Sequence, residues 1–282
     1  ASQLMLKDLK LAQQAAIQTL IGDVARQRGD TPGATAAYNQ ALQLDPGQLS
    51  AQLGLGLVAV GQGNWGVASG YFQTAIGLPG GADDAEAQFW HAEALLRQGN
   101  LPGATAAYNR AIALRPSFPA AFLGLAQAQH ALGGNENLNT ALATVETAIS
   151  QQPNYAEALL FKGKLLQQQG RINEAEAAYN ASIRANNQLP EAAFRRGMIE
   201  LQSSRYDEAA RDFRRALQLQ PNFPEAAYWL GRAYYAEGRL EPALQAFQQA
   251  VGLNGGYIDA VFYVGLVSED LGRTAEAISA YQ

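Results

Sequence analysis

Apolar and small residues recur along this chain on a helical spacing, and the whole pattern returns every 34 residues. Residues 33–46 read GATAAYNQALQLDP, in which Ala34, Ala37, Tyr38 and Ala41 fall at i, i+3/i+4 and i+7. That is one face of a helix, not a strand. The segment returns as GATAAYNRAIALRP at 103–116 and in weaker form from Glu174, Glu208 and Glu241. Each period holds two helices of about a dozen residues, here called A and B. In the first copy helix A is expected over 15–27, stopping at Gly29, and helix B over about 32–44, ended by Asp45 and Pro46. Proline cannot continue a helix and biases the residue before it out of the α region. A fixed period of this length predicts stacked helical hairpins, each burying its apolar face against its neighbours.

The small residues have a packing reason. One position of helix A holds Gly22, Gly56, Gly163, Gly197, Gly231 and Gly265, with Ala92 and Ala126 standing in. The matching position of helix B holds Ala34, Ala68, Ala104, Ala175, Ala209, Ala243 and Ala277. Small side chains there let two antiparallel helices approach closely. The helix B aromatic (Tyr38, Phe72, Tyr108, Tyr179, Phe213, Phe247, Tyr281) is expected to fill the gap toward the next unit.

Those residues resemble the tetratricopeptide repeat, W-x2-L-G-x2-Y followed by A-x3-F-x2-A-x4-P. The second half of the pattern matches strongly. The first half is degenerate, since its early aromatic is Gln18, Gln52 and Gln88 before it appears as Phe122. The copies cover 15–48, 49–84, 85–118, 119–155, 156–189, 190–223, 224–257 and a partial 258–282, preceded by a helical extension, 1–14. Two copies deviate in length: residues 80–84 (GGADD) add two between units, and 133–140 (GGNENLNT) add three within the turn of the fourth. The resemblance implies an all-α fold, a right-handed superhelical α-solenoid of about eight units.

It also implies a groove. In such proteins helix A lines the concave side, with its second, fifth, ninth and twelfth slots pointing inward. Here that gives Leu53, Leu57 and Val60, then Phe89 and Glu93 with Trp90 at the edge, then Leu123, Gln127 and His130. Leu160 and Lys164 follow, then Phe194, Met198 and Leu201, then Tyr228, Arg232 and Tyr235, and last Phe262 and Leu266. Aromatic anchors with a few charges suit an apolar or amphipathic peptide. The Lys and Asn that clamp a terminal carboxylate in chaperone-tail receptors are missing, as Thr19 and Asp23, Leu53 and Leu57, or Phe89 and Glu93 occupy those slots. The asparagine ladder of sugar-transferase repeat domains is missing too.

Net charge is −5, and the halves divided at residue 140 carry 7 Lys+Arg against 9 Asp+Glu and 13 against 16. Neither half has the basic surplus that phosphate binding requires, which argues against nucleic acid. With no cysteine, thiolate chemistry is excluded. No apolar stretch reaches the length of a membrane span and no signal peptide is read. Four lysines beside sixteen arginines point to a bacterial source. His91 is expected to pack between helices, and Asp83, Asp84 and Glu86 to cap a helix start. Arg211, Arg214 and Arg215, alternating with Asp207, Glu208 and Asp212, read as a solvent face laced with ion pairs. No catalytic triad, zinc motif, phosphate loop or dinucleotide fingerprint appears, so neither an enzyme nor a cofactor is expected.

The ends complete the reading. Leu4, Leu6, Leu9 and Leu11 run into helix A without Gly or Pro and are expected to lengthen it and cover the open face of the first unit. The chain begins Ala-Ser and stops within helix B of the eighth unit, which predicts a fragment with an open end that promotes self-association. The expected role is a protein-interaction scaffold in assembly of a larger complex. Two alternatives are the substrate-recruiting arm of an enzyme whose catalytic domain lies outside these residues, and a structural homo-oligomer.

Overall fold

The computed structural model describes the backbone of residues 2–282 and the side chains from Lys7 onward, Asp8 excepted. Its secondary structure among those residues is helical throughout, in two compact bodies, residues 1–152 and 153–282. The first body contains α1 (Ser2–Gln27), α2 (Thr31–Leu44), α3 (Leu49–Gly61), α4 (Trp65–Gly77), α5 (Ala85–Arg97), α6 (Leu101–Leu114), α7 (Pro119–Ala131) and α8 (Asn135–Gln151). The second contains α9 (Ala156–Gln168), α10 (Ile172–Ala185), α11 (Pro190–Gln202), α12 (Tyr206–Leu219), α13 (Pro224–Ala236), α14 (Leu240–Leu253), α15 (Ile258–Asp270) and α16 (Thr274–Tyr281). Odd-numbered helices are the A helices and even-numbered ones the B helices.

Within each body an A helix packs on its own B helix and on the B helix before it. Neighbouring A helices also touch, α1 with α3, α5 with α7 and α11 with α13, so the A helices form the tighter layer. The residue that turns the chain from A to B is left-handed each time. It is glycine in seven hairpins and Ser204, at φ 59°, in the sixth.

The glycine slot of helix A is where the helix B aromatic lies. A Cβ on Gly22 would sit 2.6 Å from the Tyr38 ring, and one on Gly56 only 2.3 Å from Phe72. The ring therefore packs on its own hairpin and, as closely, on the next unit, where a Cβ on Gly54 would lie 2.3 Å from Tyr38 and one on Gly124 2.4 Å from Tyr108. Tyr38, Phe72, Tyr108, Tyr179, Phe213 and Phe247 have no accessible surface, and neither do Ala34, Ala68, Ala104, Ala175, Ala209 and Ala243. Where the ring is tyrosine, helix A supplies an acceptor: the hydroxyls of Tyr38, Tyr108 and Tyr179 donate to Asp23, Glu93 and Gln167. Burial and the Asp23 bond push the Tyr38 phenol up to about 12.

Counting slots from the first residue of each unit, slot 3 of helix A is alanine in every unit after the first. Ala51, Ala87, Ala121, Ala158, Ala192, Ala226 and Ala260 are all completely buried.

Two expectations change. The extra residues of the fourth unit do not enlarge its turn, which is three residues (132–134) as in the first unit (28–30). They lengthen α8 to 17 residues against 14 in α2, because Asn135-Glu136-Asn137-Leu138 continues a helical register once Gly133 and Gly134 have made the turn. Helix A of the first unit does extend back, to Ser2. Of the four leucines expected to cap the first unit, the Leu4 and Leu6 side chains lie outside the described residues, Leu9 is exposed and Leu11 is half-buried.

Candidate interaction surface

The inward slots divide by chemistry when placed in the structure. Slot 5 is largely a packing position. Phe89 packs at a tilt on Phe118 with ring centres 4.9 Å apart, Phe194 likewise on Phe223 at 4.8 Å and Tyr228 on Tyr257 at 5.0 Å, the partner being the aromatic at the junction to the following unit. Leu123 and Tyr228 are consequently buried, Leu53, Phe89 and Phe194 are half-buried, and Phe262 is exposed. Leu57 packs with Leu53 and Val60 around Phe72, and Trp90 stacks on that ring at 6.4 Å.

Slots 9 and 12 carry the polar groups, and several are engaged. Glu93 accepts from Tyr108, and Lys164 pairs with Glu191 at 2.9 Å. Burial alone would raise the Glu191 carboxyl, but the Lys164 ammonium and Arg195 guanidinium hold it below its ordinary value. Gln127, His130 and Met198 are half-buried on their A helices. His91 is half-buried against Ser69, with Oγ to Nδ1 3.5 Å, and burial lowers its pKa.

The richest arrangement lies in the second body around Arg232. Its guanidinium carbon stands 4.8 Å from the Tyr263 ring centre, 5.5 Å from Trp229 and 5.9 Å from Tyr228. One nitrogen donates to the Tyr228 hydroxyl at 3.0 Å. No carboxylate lies within ion-pair distance of it among the described residues. Leu201, Tyr206, Arg232, Tyr235 and Tyr263 surround a cleft of about 380 Å³. At its edge Tyr235 donates to Asp270 at 2.9 Å, and that bond raises the phenol pKa. Rings around an uncompensated guanidinium can hold apolar side chains and an anion together. Sequence reading found Tyr228, Arg232 and Tyr235 but not Tyr206, Tyr263 or Asp270. Slot 6, which holds Trp90, Phe161, Trp229 and Tyr263, carried the missed signal.

A second cluster corrects the expected solvent face of α12. Asp212 is buried, and Arg196 of α11 grips it with two bonds of 2.5 Å while donating a third to Asn180 at 2.7 Å. Glu200 is buried beside them with Oε2 unpartnered. Burial raises its carboxyl to about 7, the Asp212 charge adding to the rise while Arg196 and Arg205 oppose it. Of the three arginines on α12, Arg211 pairs with Glu208 at 3.0 Å, whereas Arg214 and Arg215 donate to the carbonyls of Ala210 and Asn187. Asp84 caps α5 as expected, accepting from the Glu86 and Ala87 amides at 2.8 Å. Asp83 and Glu86 pair with Arg110 and Arg115. No group of three metal-ligating side chains and no helix long and apolar enough to cross a membrane occurs among the described residues.

Stacked hairpins joined by glycine turns and sealed by alanine and aromatic slots define a helical-repeat protein. Sequence profiles of the tetratricopeptide repeat match residues 22–63, 53–119, 91–134, 134–194 and 194–258, and the chain belongs to that family. Among solved structures it is similar to PilF of Pseudomonas aeruginosa (20% identity, TM-score 0.61, 70% of this chain and 88% of that one). It is also similar to YrrB, described as a TPR protein with an unusual peptide-binding site (23%, TM-score 0.54, 67% and 95%). The Cut9–Hcn1 complex of the APC/C aligns over more of the chain (18%, TM-score 0.63, 92% and 50%). At these identities the likeness is one of fold. No curated protein matches the sequence.

Proposed function

We propose that the protein is a non-catalytic interaction scaffold whose A-helix layer holds an amphipathic peptide or helix, with the Arg232 cleft as the anchor. Arg232 carries the reading: a cation resting among three aromatic rings, with its hydrogen-bonding edge only partly used, open to a cleft lined by Leu201, Tyr206 and Tyr235. An aromatic or aliphatic side chain would fill the cleft and a carboxylate would meet the guanidinium, giving the anchor-plus-rim anatomy of a peptide site. Similarity to structures such as YrrB supports peptide binding as a use of this fold. Tyr228 is a poor test because it is buried. The experiment is selection of a random peptide library on the full chain, repeated with Arg232→Glu and Tyr235→Ala. Enriched peptides are expected to pair an apolar residue with Asp, Glu or a free C-terminus, and Arg232→Glu to weaken them at least tenfold with unchanged helicity. Peptides that bind the Arg232→Glu protein equally well would refute the assignment.

A further inference from the structure

Within each body, wherever a B helix precedes an A helix, the A-helix face that looks toward it is closed, whereas on α1 the same face is open. Gly54 and Gly124, in slot 6, lie against the Tyr38 and Tyr108 rings of that preceding helix, and slot 3 on the same face is always a fully buried alanine. On α1 the corresponding slots 3, 6, 7 and 10 hold Ile17, Leu20, Ile21 and Val24, which are 55%, 63%, 49% and 47% exposed. Their i, i+3, i+4, i+7 spacing makes one uncharged aliphatic stripe, flanked upstream by exposed Leu9.

We propose that this stripe seats a second copy of the chain, α1 of one protomer lying along α1 of the other about a two-fold axis. Two observations choose the occupant. First, a repeat hairpin is the wrong shape. Wherever a B helix covers this face, slot 3 has room only for a methyl group, and Ile17 would hold such a helix off. Second, the chain has few other surfaces to offer. Among the described residues, apart from single residues Val67 and Leu132, its other exposed large apolar side chains lie on α15 and α16. α16 is itself a B helix and meets the same obstacle at Ile17, whereas a bulky aliphatic stripe packs best on another held at coiled-coil distance.

The size is sufficient. Five half-exposed aliphatic side chains present on the order of 500 Å², at which a patch on a monomer marks an interaction surface. Two such patches bury about 1,000 Å², the lower bound for a specific interface. A two-fold contact also closes on itself, giving a dimer and not a filament.

Sedimentation velocity on the full chain, over a hundredfold range of concentration, tests this. A concentration-dependent rise to twice the 30.1 kDa chain mass is expected. Leu20→Glu with Val24→Glu should abolish it at unchanged helicity, since both side chains are exposed. The absence of native cysteine allows an independent arm. Leu20→Cys should cross-link to a covalent dimer under oxidation, whereas Ile278→Cys should not. A monomer at every concentration, a dimer that survives the double glutamate variant, or cross-linking through Ile278→Cys and not Leu20→Cys would each overturn the proposal.

Discussion

The two bodies start their B helices in different ways. In the first, the residues before α2, α4 and α6 are Asp30, Asn64 and Asn100, and Asp30 and Asn100 accept from the amides of Gly33 and Gly103. In the second, all four such positions are arginine: Arg171, Arg205, Arg239 and Arg273. Arginine cannot cap an N-terminus, and its charge opposes the helix dipole. Three of the four instead reach an acid on the preceding B helix, Arg205 to Glu176 at 2.6 Å, Arg239 to Asp207 at 3.8 Å and Arg273 to Glu241 at 2.6 Å. Eleven of the sixteen arginines lie in this body, among them Arg196 inside the sixth hairpin. In the first body α2 and α6 are thus capped by their own side chains while α4 and α8, preceded by Asn64 and Gly134, are not, whereas in the second three of the four B helices are tied to the hairpin before. The glycine, alanine and aromatic slots fix the hairpin, and the remaining positions are open to either solution.

Removing the acid from the buried cluster should give the largest effect. Asp212→Ala leaves the Arg196 charge enclosed without its main partner and is expected to cost about 3 kcal/mol. Hydrogen exchange should locate the loss in α11 and α12, with α3 and α4 keeping their protection, because coupling runs between neighbours. Uniform loss across both bodies would erase the distinction drawn between them.

Acidity probes the same cluster more gently. The Glu200 carboxyl is raised from 4.5 unfolded to about 7 folded, so the folded state holds the proton more tightly. Its contribution is fully present below pH 4.5 and is lost as pH rises through 7, a fall on the order of 3 kcal/mol. Glu200→Gln should flatten this slope in urea titrations between pH 5 and 8. A variant with the slope of the native chain would assign the titration elsewhere.

The smallest effect concerns the arginine links. Arg239→Asn exchanges exposed ion pairs with Asp207 and Glu237 and a contact with the Tyr234 ring, each worth at most about 1 kcal/mol, for a cap of about 1 kcal/mol. Stability at low salt should change by less than about 1 kcal/mol. Its decline with added salt should become shallower than in the native chain, since only the ion pairs are screened. Equal salt dependence in the two proteins would show that the links contribute nothing.

The hairpins were legible in the sequence because their determinants are local and periodic: Gly22 with Tyr38, the turn at Gly29, the stop at Pro46. The buried ion cluster was not. Arg196 and Asp212 are 16 residues apart on different helices, and helical periodicity places a charge on a face without saying whether another helix covers it. The inward aromatics were half legible. Phe89, Phe194 and Tyr228 were found by slot, but their packing depends on Phe118, Phe223 and Tyr257 at the unit junctions. Those recur with the same period and were the signal available. The fourth unit misled because a double glycine draws attention to a turn, while the additional length went into α8.

The hydroxyls of Tyr38, Tyr108 and Tyr179 have a practical corollary. Each is a phenol whose ionisation is suppressed while its ring is enclosed, and they belong to the first, third and fifth hairpins. Among the twelve tyrosines these three gain their charge only when their hairpins open, so a delayed phase of phenolate absorbance at high pH follows the loss of those rings' enclosure without any added dye.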